Sequence, residues 1–211
     1  FLSVLIALSL NAQENIKYQK PSDEILNLVE FDRPPSVLYD DEKNYMVFLY
    51  RNNYKSISDL SEKELRLGGL RINPKTNIGS RVTYYNNVKV KNLKDKKGQT
   101  EQVIGIPENA KLTNFSWSPD QTKIALTNTT SEGVELWLLT LKTGYVTKLT
   151  APELNANIGG VITWQADSQS MLVKTLSKNR KPLIDTSSIV PDGPTISNNY
   201  GAKAQNRTYQ D

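Results

Sequence analysis

The chain has 211 residues, 37% of them hydrophobic, and a formal net charge of +4, so it is long enough to bury a core of one or two domains. It contains no cysteine and no histidine, which excludes disulfides, thiolate metal sites and any Ser-His or Cys-His hydrolytic pair built from its own residues. Ten Pro, eleven Gly and ten Tyr among many Thr, Val and Asn favour short strands joined by turns, and an all-β fold is expected.

Residues 1–10 are almost wholly apolar and run into Asn11-Ala12-Gln13, the pattern of a signal-peptide core with its small-residue cleavage site. The chain starts with Phe and lacks a positively charged start, so residues 1–12 are expected to be a truncated signal peptide. Residues 13–211 would then form an exported body, periplasmic or secreted. The apolar run is shorter than the ~20 residues that span a bilayer as a helix, and no stable membrane anchor is expected.

Leu38-Tyr39-Asp40-Asp41-Glu42-Lys43-Asn44-Tyr45-Met46-Val47-Phe48 reads as strand, turn and strand. Downstream, Ser61 with Glu64 forms a capping box, Leu65 and Leu67 supply apolar side chains and Gly68 a stop, which predicts a short helix on the surface. The densest basic stretch, residues 89–97, alternates with Val88, Val90 and Leu93 and includes Asp95. That is the pattern of a strand with one wet face and a charged turn, so no nucleic-acid partner is expected despite the basic pI.

The clearest hairpin is Phe115-Ser116-Trp117-Ser118-Pro119-Asp120-Gln121-Thr122-Lys123-Ile124-Ala125-Leu126, two strands around a Pro-Asp turn. A second hairpin follows, Val134-Glu135-Leu136-Trp137-Leu138-Leu139 turning at Lys142-Thr143-Gly144 into Tyr145-Val146-Thr147-Lys148-Leu149. Together they make four strands. The opening recurs at Ile162-Thr163-Trp164-Gln165-Ala166-Asp167-Ser168, its Trp 47 positions after Trp117; residues 38–48 are a weaker copy. A period of roughly 40 to 50 residues fits four-stranded antiparallel blades of a β-propeller. Each Trp is expected to fill the wedge between neighbouring blades while its N–H finds a partner, and Asp120 and Asp167 are expected to cap turns. Asn-x-Ser/Thr triplets start at Asn114, Asn128 and Asn206 and match the short glycan-acceptor pattern.

Four stretches carry a family resemblance: Leu67-Gly68-Gly69-Leu70-Arg71-Ile72-Asn73-Pro74 with Ser80-Arg81 and Tyr84-Tyr85; Trp117-Ser118-Pro119-Asp120; Glu135-Leu136-Trp137 with Thr143-Gly144; and Pro191-Asp192-Gly193-Pro194 through Asn206-Arg207-Thr208-Tyr209-Gln210-Asp211. In this order they resemble the glutamyl endopeptidase-like branch of the prolyl oligopeptidase family of serine peptidases. The sequence departs from that pattern at Gln121 and Ser168, where the turn usually carries Gly after Asp, which should cost turn stability.

The resemblance implies an N-terminal β-propeller and a C-terminal α/β-hydrolase domain carrying a Ser, Asp and His triad, the latter absent from this chain. It implies a peptide substrate cleaved after Glu, the chain's own C-terminal catalytic domain as partner, and no cofactor or metal. A glutamyl pocket needs fixed positive charge, and a guanidinium meets a carboxylate with two N–H groups, which makes Arg71, Arg81 and Arg207 the candidate substrate-binding residues. Ordinary ion pairs are the alternative role for each. Two other readings stand beside this one: a non-enzymatic exported propeller that binds a protein or glycan, and a structural periplasmic repeat protein.

Overall fold

The computed structural model describes residues 20–95 and 98–181. The predicted signal peptide, the motif at residues 191–211, Arg207 and Asn206 lie outside the described residues. A short helix α1 (Asp23–Val29) precedes β1 (Ser36–Tyr39) and β2 (Tyr45–Tyr50). Then come α2 (Ile57–Ser61) and three short strands, β3 (Leu65–Leu67), β4 (Leu70–Asn73) and β5 (Ile78–Gly79). The remaining strands are β6 (Asn87–Asn92), β7 (Glu101–Gln102), β8 (Leu112–Trp117), β9 (Lys123–Thr129), β10 (Val134–Thr140), β11 (Tyr145–Lys148), β12 (Ile162–Trp164) and β13 (Met171–Val173). The fold is all-β. Among the described residues no helix is long and apolar enough to cross a membrane.

The strands form two four-stranded antiparallel sheets, β1-β2-β6-β7 and β8-β9-β10-β11, followed by the hairpin β12-β13. The middle sheet is the expected pair of hairpins. The first sheet contains the weak copy at residues 38–48, and its strands β2 and β6 are separated in sequence by α2 and the small sheet β3-β4-β5. This insertion is why the repeat is spaced more widely at its start. As expected, β6 alternates, with Val88 and Val90 buried and Lys89 and Lys91 half-buried on the other face.

Packing follows from the two-residue period of the strands. In β9, Ile124 and Leu126 enter one apolar cluster with Val47, Leu49, Val88 and Val90 of the first sheet. Ala125 enters a second cluster with Val134, Leu136, Ile78 and Leu154, against which Ile162, Trp164, Met171 and Val173 pack. The middle sheet is therefore covered on both faces, and each fully buried Ile or Leu contributes about 1.5–3 kcal/mol. The tryptophans sit as expected: Trp117 packs on the first cluster, and Trp164 packs on the second and donates its Nε1 hydrogen to the Ser116 carbonyl oxygen at 3.1 Å.

Three turns share one geometry. Lys43, Gln121 and Ser168 all adopt positive φ, between 55° and 58°, a conformation that costs a side-chain-bearing residue about 1 kcal/mol. Asp120 caps its turn by accepting from the Thr122 amide at 3.1 Å, and Asp167 accepts from the Gln169 and Ser170 amides at 2.9 Å. The side chains that stand where Gly is usual reach backward to the preceding sheet. The Gln121 Nε2 group donates to Asp41 Oδ2 at 3.1 Å, and the Ser168 hydroxyl accepts from the Asp120 amide at 3.0 Å. The departures from Gly thus exchange local strain for ties between turns of successive sheets.

Two expectations need correction. The short helix lies at Ile57–Ser61, with the capping box on Ser56 and Asp59 rather than Ser61 and Glu64. Leu65–Leu67 is a strand instead, because Gly68 and Gly69 at φ 53° and 88° supply the two positive φ values of a tight hairpin turn to β4. Asn128, which starts one of the Asn-x-Thr triplets, has its side chain held inside the fold. It is buried, accepts from the Lys111 amide at 3.0 Å and donates to Glu135 at 3.2 Å.

Replacing Ile124, which is 0% exposed, by Ala should destabilise the chain by about 2–5 kcal/mol. Leu172→Ala, at a position 65% exposed, should cost under about 0.5 kcal/mol. Urea unfolding followed by Trp fluorescence measures both.

Candidate functional site

A groove of about 1300 Å³ opens where three connections meet: the segment leaving β2, the segment entering β6, and the segment between β7 and β8. Their positions follow from pairing at the sheet edges. The segment after β7 is bonded to β11, with the Ile104 amide donating to the Gly144 carbonyl at 2.8 Å and the Val146 amide to the Ile104 carbonyl at 2.9 Å. Gly105 permits this approach, because a Cβ there would lie 2.6 Å from the Val146 oxygen and φ is +94°. The segment before β6 is tied by Tyr85, which exchanges backbone hydrogen bonds with Leu112 at 2.8 Å in both directions.

One wall of the groove is an ionic cluster. Lys111 Nζ lies 2.6 Å from Asp59 Oδ1, 3.6 Å from Glu62 Oε1 and 5.7 Å from the centre of the Tyr84 ring. The Asp59 carboxyl is held down to about 2 by the hydrogen bonds from Lys111 and from the Ser56 hydroxyl. Burial pulls Lys111 downward, but the hydrogen bond and attraction of Asp59, helped by Glu62, outweigh it and raise the ammonium above its ordinary value. Burial pushes the Tyr84 hydroxyl up. The cluster fastens α2 to the start of β8.

The other wall is amide-rich and cationic. Asn86 Nδ2 donates to Asn52 Oδ1 at 2.7 Å, and Asn87 Nδ2 donates to Gln102 Oε1 at 3.1 Å. Arg51, Lys55 and Lys89 line the same space. Lys89 Nζ lies 5.1 Å from the Tyr50 ring centre, and Lys55 Nζ donates to the Ser80 carbonyl at 3.4 Å. Among the described residues no group of His, Cys, Asp and Glu is arranged to hold a metal ion. The sequence holds no histidine, so no imidazole of this chain borders the groove.

Neither described arginine candidate lines this groove. Arg71, in β4, donates from Nη1 to Glu64 Oε1 at 2.9 Å, and its side chain is 13% exposed. Glu64 is held near 2, first by the hydroxyl of Ser80, then by Arg71 and Arg66. Arg81 is exposed in the turn that follows β5. The structure brings Arg71 and Ser80 together through Glu64, and Arg81, next to Ser80 in the chain, takes no part in that contact. The groove residues that sequence reading passed over, Arg51 and Lys55, lie in the polar run Arg51-Asn52-Asn53-Tyr54-Lys55 directly after β2. That abrupt change from an apolar strand was the available signal.

No family model matches the chain. It is similar to two plant proteins described as "Probable glutamyl endopeptidase, chloroplastic". The protein from Oryza sativa subsp. japonica is 29% identical over 205 residues, 92% of this chain and 22% of the relative. That from Arabidopsis thaliana is 28% identical over 210 residues, 92% of this chain and 21% of the relative. The chain thus spans about a fifth of the length of these curated relatives, and the similarity is to peptidase-related proteins.

A depressed Asp59 contributes stability that is present above its unfolded value near 3.9 and is lost as the pH falls through its folded value of about 2. Lys111→Met should remove most of this acid-dependent component and cost about 1 kcal/mol or less at neutral pH, since the pair is about one-third exposed. Thermal melts of both proteins between pH 2 and 7 test this; equal slopes below pH 4 would contradict it.

Proposed function

We propose that the chain is the N-terminal part of a β-propeller belonging to an exported serine peptidase of the prolyl oligopeptidase family that cleaves after glutamate. The observation that carries this reading is the similarity to two proteins described as glutamyl endopeptidases across 92% of the chain. The stacked four-stranded sheets with their recurring Trp and Asp turns support the propeller. The apolar stretch at residues 1–10 supports export.

On this reading the propeller restricts which peptides reach a separate catalytic domain and helps to hold them. The bond-breaking groups, a serine activated by histidine and an aspartate that orients it, lie in that domain. The chain's own contribution is binding and exclusion, because it holds no histidine. Arg71, Arg81 and Arg207 remain candidates for contact with the substrate carboxylate, with Arg71 already engaged by Glu64.

The full-length protein should hydrolyse short peptides after Glu, less after Gln or Pro, and a serine-directed fluorophosphonate should abolish the activity. The chain of residues 1–211 alone should hydrolyse none of them. Absence of both cleavage and labelling in the full-length protein would favour a non-enzymatic propeller that binds a protein or glycan, and turnover by the chain alone would overturn the assignment of the chemistry to another domain.

A further inference from the structure

The cations inside and outside the groove differ in how they are compensated. Lys111 is held by Asp59 and Glu62, Arg66 and Arg71 share Glu64, and Lys148 is 2.5 Å from Glu135. Arg51, Lys55 and Lys89 face the groove with no carboxylate partner among the described residues; Lys55 meets only a carbonyl and Lys89 only a ring face. Arg51 has neither a hydrogen bond nor an ion pair with any described residue, although it is half-buried. A groove-lining guanidinium with no partner among the described residues can take a planar anion, whose two oxygens meet its paired N–H groups.

The rest of the lining indicates what carries that anion. Asn87 and Gln102 bond one another in both directions, whereas the single Asn86–Asn52 bond between two lining residues leaves one amide N–H group and one carbonyl of that pair for a ligand. A donor and an acceptor side by side suit the N–H and C=O groups of an extended peptide. Glu108, exposed at the rim, together with Asp59 and Glu62 at the far wall, would repel a continuous phosphate backbone but not an isolated carboxylate facing Arg51.

We propose that this groove binds an extended peptide carrying an acidic side chain, with the Arg51 guanidinium as the anchor for its carboxylate and Lys55 and Lys89 as flanking positive charge. The inference rests on the peptidase reading for the identity of the peptide as substrate, but its binding chemistry is independent of cleavage.

The test is fluorescence anisotropy of the full chain with a labelled nonapeptide carrying a single central Glu and with its Gln counterpart. Arg51→Ala and Arg51→Lys are compared with Arg66→Ala, which lies outside the groove, and thermal melts confirm that all are folded. The Glu peptide should bind at least tenfold more tightly than the Gln peptide. Arg51→Ala should abolish that difference, Arg51→Lys should retain part of it, and Arg66→Ala should leave it intact. Equal binding of the two peptides, or an undiminished preference in Arg51→Ala, would overturn the site. A labelled single-stranded oligonucleotide that binds as tightly as the Glu peptide in an Arg51-dependent way would overturn the peptide assignment. In the full-length protein, cleavage after Glu with kcat/KM unchanged by Arg51→Ala would refute the groove and leave the peptidase reading standing. Arg51-dependent peptide binding without any cleavage would do the reverse.

Discussion

The middle sheet cannot exist alone. Its central strand β9 is buried from Ile124 onward, with alternate residues entering apolar clusters on opposite faces of the sheet. A strand of that kind needs a neighbour on each side, because exposing either face would return several large aliphatic groups to water at about 25 cal/mol per Å² of apolar surface. The stacking of the first sheet, the middle sheet and the β12-β13 hairpin follows from this requirement. So does the recurrence of Trp at the end of a strand: Trp117 and Trp164 each fill the gap between one sheet and the next.

What aligns the sheets is polar. The side chain at the left-handed position of each turn reaches the turn of the sheet before it, Gln121 to Asp41 and Ser168 to Asp120. Glycine at those positions would relax the backbone and lose the tie. The insertion between β2 and β6 rides on this frame, tied to it by Lys111 to Asp59 and by the Ala156 amide to the Asn77 carbonyl, and is held together internally by Glu64 with Arg71 and Ser80. The groove owes its shape to these anchored connections.

Much of the frame was legible in the sequence. The period of 47 positions between Trp117 and Trp164, the Pro-Asp turn and the alternation in residues 88–93 depend on local spacing, and each led to the correct strand. The helix was misplaced because two capping boxes compete within nine residues, and the pair Gly68-Gly69 reads equally as a helix stop or a hairpin turn until β4 is known to pair with β3. The groove was the least legible part. It is assembled from segments some fifty residues apart, and no local pattern shows that Arg51 meets no carboxylate among the described residues while Arg71 does.

The central claim is that a cationic, amide-rich groove on a stack of β-sheets presents acidic peptides to a catalytic serine elsewhere in the same protein. Its most direct test is a structure of the full-length protein with that serine labelled by a phosphonate carrying a peptide with acidic residues. The account predicts additional four-stranded sheets continuing the stack, the groove opening toward the labelled serine, and a peptide carboxylate on Arg51. A groove facing bulk solvent away from the label, or the absence of a labelled serine, would contradict it.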